Sequence, residues 1–265
     1  MGDVLADHDV ALVRAPNPGP LTLSGTNTWL AGHDPCWVID PGPLLTEHVD
    51  ALLDAGVARG GIGGVALTHH HADHAEAAVE VARRAGGVEI AAAGFAAAGR
   101  RLADGDALGP LEVIALPGHA PDHVCFAFGA ACFTGDAVLG EGSVFIAPGH
   151  GALSGYLDGL GRLRARGFAV LLPGHGPPVI DVREKLDGYV AHRLDRERRL
   201  VAALDSGARS VDALLDAAWD DVPAALRMPA AVTLVAHLDK LEEEGRLPAG
   251  VQRPEWLEGS TLRGA

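Results

Sequence analysis

Positive charge, cysteine and aromatic residues are all scarce in this chain, and each shortage removes a class of explanation. Lysine and arginine number 21 against 35 aspartates and glutamates, a formal net charge of −14. A chain this acidic has no general attraction for nucleic acid or anionic membranes, although bound divalent cations would add local positive charge that the formal count omits. The cysteines, Cys36, Cys125 and Cys132, are odd in number, sit in apolar contexts and form no C-x-x-C pair. They read as small buried hydrophobes in a reducing compartment rather than a disulfide framework. Aromatic residues are 5% of the chain, so the apolar content is mostly Ala, Val and Leu. The opening MGDVLADHDV lacks the basic and apolar regions of a secretory signal, and no apolar run has the length needed to cross a bilayer. There is no internal repeat and no low-complexity tail. The expectation is a cytoplasmic protein with neither a membrane nor duplex DNA as a partner.

What is present is a globular composition. With 265 residues, 48% of them apolar, and 35 glycines, the chain can form one large core with a small appendage. Short β-like runs alternate with Gly/Pro turns and a few helices through the first two thirds. The pattern predicts strands at 9–13, 28–30, 36–39, 64–67, 88–91, 112–116, 124–128, 131–134 and 169–172. Predicted helices cover 45–55, 73–84 and 154–166. Gly129-Ala130 between two of these runs reads as a tight hairpin. After the Pro-rich stretch 173–178 the signal is almost wholly helical. Two short helices and a longer one, with Ser210 as N-cap and Gly245 as a stop, resemble a winged-helix unit. This sets domains at 1–180 and 181–265. From 190 onward ten Lys/Arg face thirteen Asp/Glu, which does not suit a DNA reader.

The chemistry concentrates in Thr68-His69-His70-His71-Ala72-Asp73-His74. Neither a core nor a solvated helix face needs such a run, and it lies where an apolar strand gives way to a helix, the place where open α/β sheets keep their sites. Three more strand ends carry a ligand-type residue beside glycine: His119 in Pro-Gly-His, Asp136 in Thr-Gly-Asp and His175 in Pro-Gly-His. Any one alone is an ordinary loop residue. Together, His69, His71, Asp73, His74, His119, Asp136 and His175 make seven donors, enough for two metal ions sharing a carboxylate and a water. Imidazole and carboxylate favour zinc, manganese or iron over magnesium or calcium. A structural zinc would need four saturating ligands and would not collect two carboxylates.

The H-x-H-x-D-H cluster with the later His, Asp and His resembles the metallo-β-lactamase-fold hydrolase superfamily. The runs Asn17-Pro18-Gly19-Pro20, Gly25-Thr26-Asn27-Thr28, Pro117-Gly118-His119-Ala120-Pro121-Asp122-His123, Gly135-Asp136-Ala137-Val138 and Pro173-Gly174-His175-Gly176-Pro177 resemble its β-lactamase-like protein 2 family. That resemblance implies a mixed α/β (α+β) fold, an αββα sandwich followed by the winged-helix-like domain. It gives His69, His71 and His119 to one metal and Asp73, His74 and His175 to the other, with Asp136 between them. Asp73 would also orient or deprotonate the attacking water, while His70 would point elsewhere. The implied activity is metal-dependent hydrolysis, first as an endoribonuclease on single-stranded RNA and alternatively as an acyl-thioesterase. A non-catalytic metal-binding assembly protein is the reading from another class, and the winged-helix-like tail suggests a homodimer.

Two departures from the family pattern stand out. Asp-His-x-Gly-Gly is replaced by Asp73-His74-Ala75-Glu76-Ala77, which is expected to narrow the space beside the site. His150, in Pro148-Gly149-His150, reads as a pocket residue or a plain loop residue. His123 reads as a substrate contact or as support for the ligand loop. Asn27 is a candidate substrate contact on a segment that otherwise reads as a turn. Arg193, Arg196, Arg198 and Arg199 read as a solvated, salt-bridged helix, or more sharply as a phosphate track.

Overall fold

The computed structural model describes residues 2–255. It resolves into two compact units: Met1–Leu116 with Asp122–Ser143 and Arg166–Val182, and Pro117–Pro121 with Val144–Ala165 and Arg183–Ala265.

The first unit opens with a short helix, α1 (Gly2–Asp7), and contains two sheets. One has the order β1 (Val10–Arg14), β2 (Asn27–Ala31), β3 (Cys36–Ile39), β4 (Ile62–Ala66), β5 (Glu89–Ala92), β6 (Arg100–Arg101). Its first three strands are antiparallel and the rest run parallel. The other runs β11 (Val170–Pro173), β10 (Ala131–Gly135), β9 (Val124–Phe128), β8 (Leu111–Ala115), β7 (Ala107–Leu108). There only β10 and β11 are parallel. The predicted hairpin joins β9 to β10, with Gly129 at φ +56°, a left-handed conformation that glycine adopts without a Cβ clash.

Side chains alternate across the first sheet as a pleated strand requires. Trp29, Ala31, Ile39, Ala66 and Ala91 face inward and share one core with Leu111, Val113, Phe126, Phe133 and Leu172 of the second sheet. Leu30, Val38, Val65 and Ile90 face outward and are covered by α2 (Thr46–Ala58) and α4 (Ala78–Arg84) through Val49, Leu52, Ala78 and Val81. Strands buried on both faces read as unbroken apolar runs, as β4 does. The helix expected over 73–84 is two pieces, α3 (Ala72–Ala75) and α4. The break falls where the Ala77 amide bonds Gly42 O (3.1 Å) instead of a carbonyl of its own helix.

The second unit is helical: α5 (Ala152–Arg166), most of α6 (Val182–Asp205), α7 (Val211–Ala218), a 3-10 turn at Ala224–Leu226 and α8 (Arg227–Glu243). Its core gathers Leu200, Leu204, Leu214, Leu215, Trp219, Leu234, Leu238 and Leu241. Ser210 caps α7 by accepting the Ala213 amide (3.3 Å). Gly245, at φ +67°, closes α8, with the Arg246 amide donating to Leu241 O and the Gly245 amide to Glu242 O, a left-handed C-terminal cap. Among the described residues no helix is long and apolar enough to cross a membrane.

Candidate metal centre

Parallel strands β3, β4, β10 and β11 all finish at one end of the first unit, and each is followed at once by a polar side chain or a short polar loop. β3 leads into Asp40, β4 into Thr68 and His69, β10 into Asp136 and β11 into His175. The turns are tight because glycine permits close approach. A Cβ on Gly174 would stand 2.6 Å from His74 Cε1 and 2.7 Å from Asp136 Oδ1, and one on Gly135 would run into Thr68 and the His123 ring.

Four donors converge there. His74 Nε2 lies 3.2 Å from His175 Nε2, 3.5 Å from Asp73 Oδ2 and 3.4 Å from Asp136 Oδ1. His175 Nε2 lies 3.2 Å from Asp73 Oδ2 and 3.5 Å from Asp136 Oδ1. A cation held at roughly 2.0–2.1 Å by a tetrahedron of donors sets those donors about 3.3–3.4 Å apart. Five of the six edges are thus close to what a zinc-sized ion requires, and the donor set fits a divalent metal. His69 Nε2 and His71 Nδ1 form a neighbouring pair 3.0 Å apart, and His69, His74 and Asp136 make a further group with metal-ligand spacing. His119 belongs to the second unit, in Pro117–Pro121, where it is buried, its Nδ1 3.2 Å from Phe145 O and its ring against Phe145.

Without a cation the cluster must hold protons. Burial acts to lower the His175 imidazole, but Asp136 and Asp73 beside it push it up to about 9. The same contest leaves His74 well above its ordinary value through Asp136 and Asp40. Burial works to raise the Asp136 carboxyl, and His74 and His175 hold it well below the usual carboxylate range. Asp73 is lowered too: burial opposes the shift, and His175 and His74 outweigh it. Carboxylates that stay ionised while buried among imidazoles are suited to replacing those protons with a metal.

Asp40 is the functional residue that the sequence reading passed over. Its Oδ2 lies 3.0 Å from His74 Nδ1 and accepts the Thr68 hydroxyl at 2.7 Å, while Oδ1 accepts the Thr68 amide at 2.8 Å. A proton held on Nδ1 by this carboxylate leaves the Nε2 lone pair facing the other donors. A signal was available: Asp40 follows a strand and precedes Pro41-Gly42, the same strand-end pattern that marked Asp136.

His123 is buried, accepts the Asp136 amide at Nε2 (3.1 Å) and stacks on His69. Asn27 is also buried; its side-chain amide donates to Pro173 O and Gly176 O, on either side of His175. Both side chains therefore brace ligand loops. His70 turns to Asp122 (2.7 Å), and His150 lies exposed. The Glu76-Ala77 departure takes up space elsewhere than expected. Glu76 Oε2 accepts the Leu44 amide (3.1 Å), and the Ala77 methyl is buried in the core beneath α2 and α4. The arginine cluster of α6 is only half solvated. Arg193 and Arg196 are buried, bonded to Val144 O and to Ala218 O with Asp221, while Arg198 pairs with Asp195 and Arg199 with Asp220. All four arginines are thus engaged within the protein, which leaves the phosphate-track reading of this helix without support.

Residues 21–111 match the metallo-β-lactamase superfamily, and residues 210–248 match the β-lactamase-associated winged helix domain. Residues 21–111 thus carry a metallo-β-lactamase superfamily domain. The chain is 29% identical to the β-lactamase-like protein 2 homolog of Caenorhabditis elegans, over 95% of this chain and 90% of that one. It is 31% identical to an atrochrysone carboxyl ACP thioesterase of Aspergillus novofumigatus, over 76% of this chain and 64% of the fungal protein, so it spans less than two thirds of that relative's length. The crystal structure of a metallo-β-lactamase family protein from Thermus thermophilus superposes with a TM-score of 0.68 at 25% identity, covering 89% of this chain and 94% of that one. The fold is the mixed α/β, two-sheet architecture of this superfamily with a winged helix domain at the C-terminus. Such a domain implies divalent-metal binding and hydrolysis, and leaves the substrate open.

Proposed function

We propose that this protein is a dinuclear metallo-hydrolase of acyl thioesters. The observation that carries the substrate class is an absence around the ligands. Segments 15–58, 60–82, 102–161 and 167–182 contain every metal-ligand candidate and not one lysine or arginine. A polyanion such as RNA is bound chiefly through many cationic contacts along its phosphates, and these segments offer none beyond Arg14, which flanks the first of them. They do offer apolar surface. Leu44 is 51% exposed just past Gly42, whose amide bonds His74 O, and Leu21 is 52% exposed in the turn before Thr26, which bridges to His175. An uncharged acyl group meets such a rim better than a nucleotide chain does. The similarity to an ACP thioesterase supports the same class.

In this reading His69, His71 and His119 would hold one ion and Asp73, His74 and His175 the other, with Asp136 available to both; zinc suits the donors best, with manganese and iron as alternatives. Two divalent cations bound there supply an acidified water and a Lewis acid for the carbonyl. Asp40 keeps the proton of His74 on Nδ1, away from the other donors. His123 fixes the backbone that carries Asp136. Asp73, with a third of its side chain accessible, is the carboxylate that would orient the water and take its proton. The RNA endonuclease reading rests on the likeness to β-lactamase-like protein 2 alone.

One experiment separates the two. Metal-loaded protein is given an acyl thioester with a thiol-trapping dye and, in parallel, a fluorescent single-stranded RNA. Thiol release that disappears in Asp73→Asn and after chelation, with the RNA intact, is expected. Internal RNA cleavage lost in Asp136→Ala, with no thiol release, would overturn the thioesterase reading in favour of the nuclease.

A further inference from the structure

The first unit contains seven arginines and no lysine, and six of the arginines are engaged through their terminal nitrogens. Arg59 is bound to Asp9, Arg83 to Glu80, Arg84 to Asp50 and Arg166 to Glu112. Arg100 bonds Ala107 O and Arg101 bonds Ala93 O. Arg14 differs from all six. It is exposed at the last position of edge strand β1, its Nε donates to Asn27 Oδ1 (3.0 Å), and neither terminal nitrogen has a partner among the described residues.

The place of Arg14 gives this freedom meaning. Arg14 pairs with Asn27 across the sheet. The Asn27 amide donates to Gly174 O (2.7 Å), and its side chain donates to Pro173 O and Gly176 O. The guanidinium is therefore two hydrogen bonds from the backbone on both sides of His175. It is aimed by a buried asparagine instead of swinging freely, and among the described residues it is the one arginine of the first unit so joined to the His175 loop. A guanidinium held at one nitrogen and open at the other two presents the fork that binds a phosphate or a carboxylate.

We propose that Arg14 recognises the anionic group of the thiol carrier, a phosphate or a carboxylate, and so sets which thioesters this enzyme accepts. The inference rests on the thioesterase reading above. Arg14 takes no part in bond breaking, so its contribution is to binding and belongs in KM.

The test compares wild type, Arg14→Met and Arg14→Lys on three substrates with one acyl group: the coenzyme A thioester, the glutathione thioester and the uncharged N-acetylcysteamine thioester. Arg14→Met should raise KM for a charged carrier by roughly tenfold or more, the usual worth of a charge-assisted hydrogen bond, with kcat unchanged and the N-acetylcysteamine reaction unaltered. Arg14→Lys should recover most of that loss, because it restores the charge but not the bond to Asn27. A loss confined to coenzyme A identifies a phosphate, and one confined to glutathione a carboxylate. Equal losses on all three substrates, with Arg14→Lys as poor as Arg14→Met, would overturn the proposal and make Arg14 a brace for the Asn27 turn. No change on any substrate would overturn it as well. Wild type inactive on all three would instead sink the thioesterase reading, and the proposal with it.

Discussion

Single side chains decide whether the strand ends become a site. Asp40 neither joins the donor cluster nor faces solvent, yet its carboxylate fixes the tautomer and direction of His74. Asp40→Asn should lower metal affinity about 10- to 100-fold, measured by competition with a chromogenic chelator. An unchanged affinity would remove Asp40 from the account. In the second unit His237 is fully buried against Trp219, and neither ring nitrogen has a partner among the described residues. Burial, reinforced by the nearby Arg193 and Lys240, pushes this imidazole down to about 3. Because the unfolded chain takes up the proton first, the stability tied to neutral His237 is complete above about pH 6.5 and erodes as pH falls toward 3. His237→Leu removes that liability and should make the protein less acid-sensitive, by about 2 kcal/mol at pH 5. Denaturant midpoints for the two proteins at pH 5 and pH 7.5 would show it; equal slopes with pH would contradict it.

At the scale of elements, caps and strand ends were legible in the sequence because their chemistry is local. Ser210 was readable as an N-cap and does accept the Ala213 amide. Ser210→Ala should cost about 1 kcal/mol, seen as a lower melting temperature with metal content unchanged at 25 °C. Strands 36–39 and 124–128 were readable to the residue because β-branched and aromatic runs end in turn residues there. Three things were not readable. The break between α3 and α4 depends on Gly42, thirty-five residues upstream, capturing the Ala77 amide, which no local pattern reports. Strands β6 and β7 are two residues each, too short for any alternation. The burial of Arg193 and Arg196 was hidden as well, since spacing shows which residues share a helix face but not which face is covered. Of the candidate site, the side chains that converge were readable because imidazole and carboxylate cluster rarely, whereas Asp40, which braces His74, is one aspartate beside a proline.

For the whole molecule, the sign of its pH response should depend on metal. In metal-free protein, His175 is pushed up to about 9 by Asp136 and Asp73 against the effect of burial. The stability it contributes is complete below about pH 6.5 and is lost as pH rises through 9. In loaded protein the metal competes with those same protons, so its hold strengthens as pH rises. Melting temperature should therefore fall from pH 6.5 to 9 without metal and hold or rise with it; parallel curves would speak against His74 and His175 as metal ligands. The proposed dinuclear centre draws its donors from loops at separate strand ends, and the most direct measurement of it is metal stoichiometry. After reconstitution with excess zinc and removal of free metal, elemental analysis should find two equivalents per chain, falling in Asp136→Ala. One equivalent or none in the wild type, or two retained by Asp136→Ala, would contradict a dinuclear centre sharing that carboxylate.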